Sequence, residues 1–301
     1  MNGIARHSSS RAFRILAGIC GALAIVLSVF AYLVWPAMLP GLIYFPRALG
    51  TADISPESWG YTGEVLRVPA AEGDTIVGWM LRHTSRKPNG CVVLFTHGNA
   101  GNITIQAGFM RPFLAAGFDA LVFDYRGYGA SSGHASEEHL YEDAHLAYRY
   151  LIHEGVAPDH LLVVGHSLGT AVATEVASRQ ESAGLVLAAP FASLPNAMRT
   201  RLPWFPVSLL RWTRERFDSE SRIADVSAPT LFVVASADQI VPEASARALY
   251  QAARGAKTWV EADGGHNDVF RSREFERALE HFRQTIPGCN PAATSTTDAG
   301  R

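Results

Sequence analysis

The stretch Leu161-Leu162-Val163-Val164-Gly165-His166-Ser167-Leu168-Gly169-Thr170-Ala171 reads as a short apolar strand, a turn flanked by glycines, and the start of a helix of small residues. A continuous apolar run of this kind suits a parallel strand buried on both faces. Gly165 and Gly169 stand two residues on either side of Ser167. A sharp strand-to-helix turn strains the residue at its tip, so its neighbours at minus two and plus two must be tiny. The helix that follows aims the positive end of its dipole at whatever reacts there. A turn whose serine merely caps a helix could look alike over five residues. The strand before and the helix after favour a serine presented for reaction on a tight elbow.

Outward from this elbow, strands are expected at 64–69, 75–82, 91–96, 120–124, 161–165, 184–189, 230–235 and 257–261, with helices at 104–116, 137–154, 170–179, 243–253 and 271–285. The first two strands are separated by Glu72-Gly73-Asp74, a hairpin-like break. A hairpin leading into alternating strands and helices implies an α/β fold, a mostly parallel sheet flanked by helices. Such sheets place ligands at the carboxyl ends of their strands. No internal repeat is evident.

A serine hydroxyl is a poor nucleophile at neutral pH and needs a base. Among the 11 histidines, His266 lies in the loop Gly264-Gly265-His266-Asn267, just after the strand at 257–261. His166 adjoins Ser167 and is expected to point away from it across the elbow. The acid should close a strand between serine and histidine, and Asp238 follows the strand at 230–235. Its carboxylate would hold the imidazole tautomer and stabilise the imidazolium. Asp263 is too near His266 in sequence to reach around, and Asp218 and Asp225 follow no strand. Negative charge developing on the substrate calls for backbone N–H donors. Leu168, at the helix start, supplies one; Asn99 supplies the other, from His97-Gly98-Asn99-Ala100-Gly101-Asn102 after the strand at 91–96. His97 is expected to brace that loop. Asp124-Tyr125-Arg126-Gly127-Tyr128-Gly129 contains a G-x-G, but no helix begins there, so it reads as a structural loop and not a dinucleotide site.

The 301 residues, 48% of them hydrophobic, can bury one large core, and a net charge of −2 offers no basic footprint for nucleic acid. Cys20, Cys91 and Cys289 are far apart, without CxxC or metal spacing, so neither a disulfide framework nor a metal site is expected. No organic cofactor is implied. Residues 15–34 carry no charge, long enough to cross a bilayer, with Arg6, Arg11 and Arg14 before them and Trp35 and Tyr44 beyond. The expectation is a basic segment at 1–14 and an uncleaved anchor at 15–35. It makes the lipid bilayer a partner, in a single-pass arrangement with the remaining chain on the non-cytoplasmic side. A cleaved signal peptide or a buried core helix are the alternatives, but no good cleavage site follows the run, and a core helix this apolar at the extreme N-terminus would be unusual. The expected catalytic domain spans 42–286, and the tail at 287–301 is expected to be disordered.

"FTHGNAGN", "DYRGYG", "GHSLG", "SADQIVP" and "GGHND" together resemble the α/β-hydrolase superfamily, and within it the bud-emergence-type, membrane-anchored, serine aminopeptidase-like and abhydrolase-domain proteins. The resemblance implies a Ser–His–Asp hydrolase of Ser167, His266 and Asp238, acting on a small-molecule or lipid-like carboxylic ester or thioester through an acyl-enzyme. Acyl transfer or peptide cleavage by the same triad, or a silent scaffold, are the alternatives; a scaffold should have lost a triad member, and none is missing. Residues 190–229 lie where this fold inserts its lid. There Trp204 and Phe205, flanked by Pro203 and Pro206, are expected to bind the acyl part of a substrate. The competing reading is that they pack against the core.

Overall fold

The computed structural model describes residues 4–30, 41, 43–49, 54–201, 204, 207 and 215–290. Its strands are β1 (Phe45–Pro46), β2 (Gly63–Pro69), β3 (Thr75–Leu81), β4 (Val92–Thr96), β5 (Ala100–Gly101), β6 (Asp119–Asp124), β7 (Leu161–His166), β8 (Gly184–Ala188), β9 (Thr230–Ala235) and β10 (Lys257–Ala262). The helices of two turns or more are α1 (Ile4–Val29), α2 (Glu137–His153), α3 (Leu168–Arg179), α4 (Leu194–Arg201), α5 (Glu243–Ala252) and α6 (Arg273–Gln284).

Eight strands form one sheet in the order β10-β9-β8-β7-β4-β6-β3-β2. The hairpin β2–β3 and the β3–β6 pair are antiparallel, and every other pair is parallel. Side chains alternate across a strand, and in β4 Leu94 joins the core on one face while Val93 and Phe95 join the core on the other. The first core receives Leu140 and Leu151 of α2, Val172 and Val176 of α3 and Leu249 of α5. The second receives Phe275, Leu279 and Phe282 of α6, together with Phe109 and Phe113. A parallel strand sandwiched in this way must be apolar along its whole length, and β4, β7, β8 and β9 are buried throughout.

Four expectations meet a different structure. The helix expected at 104–116 is broken into a turn at Ile103–Gln106, a 3-10 segment at Ala107–Met110 and a turn at Arg111–Ala115. Pro112 lacks an N–H and its ring opposes the carbonyl four residues back, so one continuous helix cannot pass through it. Cys91 and Cys289 are joined in a disulfide, with Cα atoms 5.4 Å apart, where none was expected. Cys91 precedes β4 and Cys289 lies in the 3-10 turn Pro287–Cys289 after α6, so the first residues of the expected disordered tail form a turn tied by the bridge to the residue before β4. Among the described residues no helix is long and apolar enough to cross a membrane. The span expected at 15–35 is helical as α1 to Val29 and then runs into residues outside the described ones.

Candidate active site

Ser167 sits between β7 and α3 with φ 53° and ψ −121°, a conformation that non-glycine residues rarely adopt. Its N–H donates to the Ala188 carbonyl at 2.9 Å, and its own carbonyl accepts from the Thr170 N–H and hydroxyl at 2.9 and 2.6 Å. The two glycines are there for space. A Cβ on Gly165 would stand 2.5 Å from the Gly169 carbonyl oxygen, and one on Gly169 would stand 1.9 Å from that of Thr96. The Thr96 hydroxyl donates to the Val164 and Gly169 carbonyls, which stitches β4 to both sides of the elbow.

His266 and Asp238 arrive on the loops after β10 and β9. His266 Nε2 lies 2.8 Å from Ser167 Oγ, and its Nδ1 lies 2.8 Å from Asp238 Oδ2. The serine hydroxyl donates to Nε2, and Nδ1–H donates to the carboxylate. Both side chains are largely sequestered, each with 8% of its surface exposed. Burial alone would raise the Asp238 carboxyl. Its hydrogen bond and charge interaction with His266, with N–H donors from Val241 and Ile240, outweigh burial and hold it below the usual carboxylate range. His166 does point away from Ser167: its Nε2–H donates to the His266 carbonyl at 3.1 Å, and its ring packs on Phe109 and Phe270. Burial holds the His166 imidazole down to about 3, so it stays neutral beside His266. This support of the base loop was not foreseen, since adjacency to Ser167 in sequence says nothing of where the ring goes.

The loop after β4 borders the same serine. A Cβ on Gly98 would touch the Ser167 Cβ at 3.4 Å, so the loop backbone lies against the elbow. His97 is fully buried, and its Nδ1–H donates to the Gly98 carbonyl at 2.7 Å. That carbonyl shares a planar peptide with the Asn99 N–H, so fixing one fixes the direction of the other. Burial holds the His97 imidazole down to about 4, which preserves the neutral ring. Two tyrosines of the loop after β6 brace the same segment: Tyr125 donates to the His97 carbonyl at 3.0 Å and Tyr128 to the Asn99 carbonyl at 2.9 Å. Arg126, also buried, pairs with Asp143 and Glu142 at 2.7 and 2.6 Å and fastens this loop to α2. Leu168 is the first residue of α3 and is buried beside the elbow. Ser167, His266 and Asp238 are thus brought together, with Asn99 and Leu168 on adjoining backbone.

Trp204 is 75% exposed, and Phe205 lies outside the described residues. Among the described residues no group of three or more His, Cys, Asp or Glu could hold a metal ion.

Residues 92–217 match the family described as the alpha/beta hydrolase fold. A Mycobacterium tuberculosis protein described as uncharacterised is 38% identical over 229 residues, which cover 75% of this chain and 80% of the relative. Alpha/beta hydrolase domain-containing protein 17B of Xenopus laevis is 31% identical over 198 residues, covering 63% of this chain and 65% of the relative. Among solved structures, an esterase of Pyrococcus furiosus superposes with a TM-score of 0.64 at 17% identity, over 81% of this chain and 97% of that one. An alpha-beta hydrolase of Vibrio vulnificus superposes with a TM-score of 0.59 at 21% identity, over 88% and 93%. The chain belongs to the α/β-hydrolase superfamily.

Proposed function

We propose that the protein is a serine hydrolase that cleaves carboxylic esters or thioesters through an acyl-enzyme. The observation that carries this reading is the unbroken run of hydrogen bonds from Ser167 Oγ through His266 to Asp238, starting from a serine held at φ 53°. In this mechanism His266 Nε2 takes the hydroxyl proton as Oγ attacks the acyl carbon, and Asp238 stabilises the imidazolium so formed. The N–H groups of Asn99 and Leu168 receive the negative charge on the tetrahedral oxygen. His266 then gives its proton to the leaving alcohol or thiol. Water, activated by the same imidazole, releases the acid. The similar Pyrococcus furiosus protein is an esterase, which agrees with an ester as substrate.

Covalent labelling with a serine-reactive fluorophosphonate, followed by an ester and thioester chain-length panel, tests the proposal. Adduct mass on Ser167 with turnover of at least one ester class is the expected result. Failure to label Ser167 in folded protein would overturn it, and label without turnover would favour a silent scaffold. Turnover only with an alcohol or amine acceptor would favour acyl transfer.

The same proposal places the enzyme at a membrane, with the catalytic domain on the non-cytoplasmic side. Its support is the uncharged run at 15–34 and the exposed apolar side chains of α1, such as Phe13, Ile15, Ile19, Leu23 and Val26. Arg6, Arg11 and Arg14 before the run favour that orientation. A Cys91–Cys289 bridge is also suited to an oxidising compartment. A cytoplasm-dependent reporter fused after Arg301 should be silent, and strong signal from it would reverse the orientation.

A further inference from the structure

Residues 43–49 run across the loop after β4 as a strap. Phe45 N–H donates to the Asn99 carbonyl and Arg47 N–H to the Gly101 carbonyl, each at 3.0 Å. In return the Asn99 side-chain amide donates to the Ile43 carbonyl at 2.8 Å and that of Asn102 to the Arg47 carbonyl at 2.9 Å. These bonds make β1 and β5 a parallel pair, with Phe45 opposite Ala100 and Pro46 opposite Gly101. The strap is itself held at both ends. Tyr44, buried, donates its hydroxyl to Glu215, within the lid interval. Leu49 N–H donates to Gly129 at 3.0 Å.

A two-residue strand pair contributes little to a fold whose main sheet has eight strands. Its placement is more informative: the β1–β5 bonds and both asparagine clamps end on the segment that carries the Asn99 N–H. An oxyanion donor works only when it is held near 3 Å from where the charge develops, and a loop misplaced by an ångström loses most of that effect. His97 sets the plane of the peptide before Asn99, and the strap with Tyr128 sets the plane after it.

We propose that residues 43–49 are a positioning element for the reaction, holding the Asn99 backbone in register with Ser167 and so linking the rate of chemistry to the segment that follows α1. The inference rests on Asn99 as an oxyanion donor in a serine hydrolase.

The test uses the full chain with Phe45→Pro and Arg47→Pro, each of which deletes one strap N–H, and Phe45→Ala, which retains it. Each proline variant should lower kcat about ten- to hundredfold, less than deletion of an oxyanion donor itself. KM should stay within about twofold, since the lost interaction acts in the transition state. Fluorophosphonate should still label Ser167 to completion, only more slowly, and Phe45→Ala should retain most of kcat. If a proline variant does not fold, Asn99→Ala, which removes the side-chain clamp to Ile43 but keeps the N–H, must show the same selective loss of kcat. The proposal is overturned if folded variants keep wild-type kcat, or if kcat falls only in proportion to the fraction of labelled protein. Wild type that neither labels nor hydrolyses esters would remove the serine-hydrolase reading itself, and the strap proposal with it.

Discussion

In the proposed mechanism Ser167, His266 and Asp238 act as a unit, so single losses should approach the cost of losing all three. Ser167→Ala and His266→Ala are each expected to abolish ester turnover while thermal unfolding stays near wild type. Asp238→Asn leaves a hydrogen-bonding side chain but allows the wrong imidazole tautomer, and the loss should be roughly ten-thousandfold, as in serine proteases. Near wild-type turnover by purified Asp238→Asn would transfer the orienting role to another acid, Asp263 first among them. Trp204 permits a second residue-level experiment. It is 75% exposed, so Trp204→Ala should leave the melting temperature almost unchanged. If the indole covers an acyl chain, kcat/KM should fall progressively with chain length, by up to about 0.8 kcal/mol for each methylene it shields. Equal loss on acetate and longer esters would leave the acyl-binding role without support.

The loop after β4 carries a pH signature through two buried groups facing one another, His97 Nε2 and Asp124 Oδ1, 3.8 Å apart. Burial pushes the Asp124 carboxyl up to about 8, although N–H groups of Ile103 and Ala130 oppose this. From 3.8 to about 8 the unfolded chain therefore loses a proton that the folded chain keeps, and Asp124 lowers stability as pH rises. His97, held down to about 4 from 6.5, works in the other direction: as pH rises through that window stability increases. The two oppose each other in acid, and above 6.5 only the Asp124 contribution remains. Stability should thus decline between about pH 6.5 and 8, by at most about 2 kcal/mol, and Asp124→Asn should flatten the decline. Urea unfolding across that range checks it; an unchanged decline in the variant would assign the effect elsewhere. This element was legible in sequence because glycine-rich stretches directly follow apolar strands, and the elbow because two glycines bracket a serine at fixed spacing. The strap was not, since its bonds run mostly through backbone N–H and carbonyl groups that every residue carries. Nor was the break before Arg111–Ala115 expected, although Pro112 was there to be weighed against an otherwise helical pattern. His166, Tyr125 and Tyr128 stood beside recognised motifs, but their hydrogen bonds depend on rotamers that no local pattern encodes.

Across the whole molecule, the Cys91–Cys289 bridge spans a sequence separation of 198 residues. No spacing rule could have paired them, because only the fold brings the start of β4 beside the turn after α6. In the chain-entropy description a loop this long restricts the unfolded state strongly, and Cys289→Ser should cost about 2–4 kcal/mol of stability. Urea unfolding with and without reductant checks this: the wild-type curve should move to lower denaturant when reduced, and the Cys289→Ser curve should not. Coincident oxidised and reduced wild-type curves would count against the bridge. The bridge also decides what becomes of a cut chain. The lid interval, where Trp204 is exposed, falls inside the covalent loop and divides it. A protease nick there would leave Asn99 and Ser167 on one fragment and Asp238 and His266 on the other, with β8 of the first still paired to β9 of the second across the cut. The fragments would travel as one band until a thiol reagent separated them. A nicked enzyme would then be a two-piece hydrolase whose single covalent link is a sulfur–sulfur bond, and reductant sensitivity of its activity would emerge only after the cut.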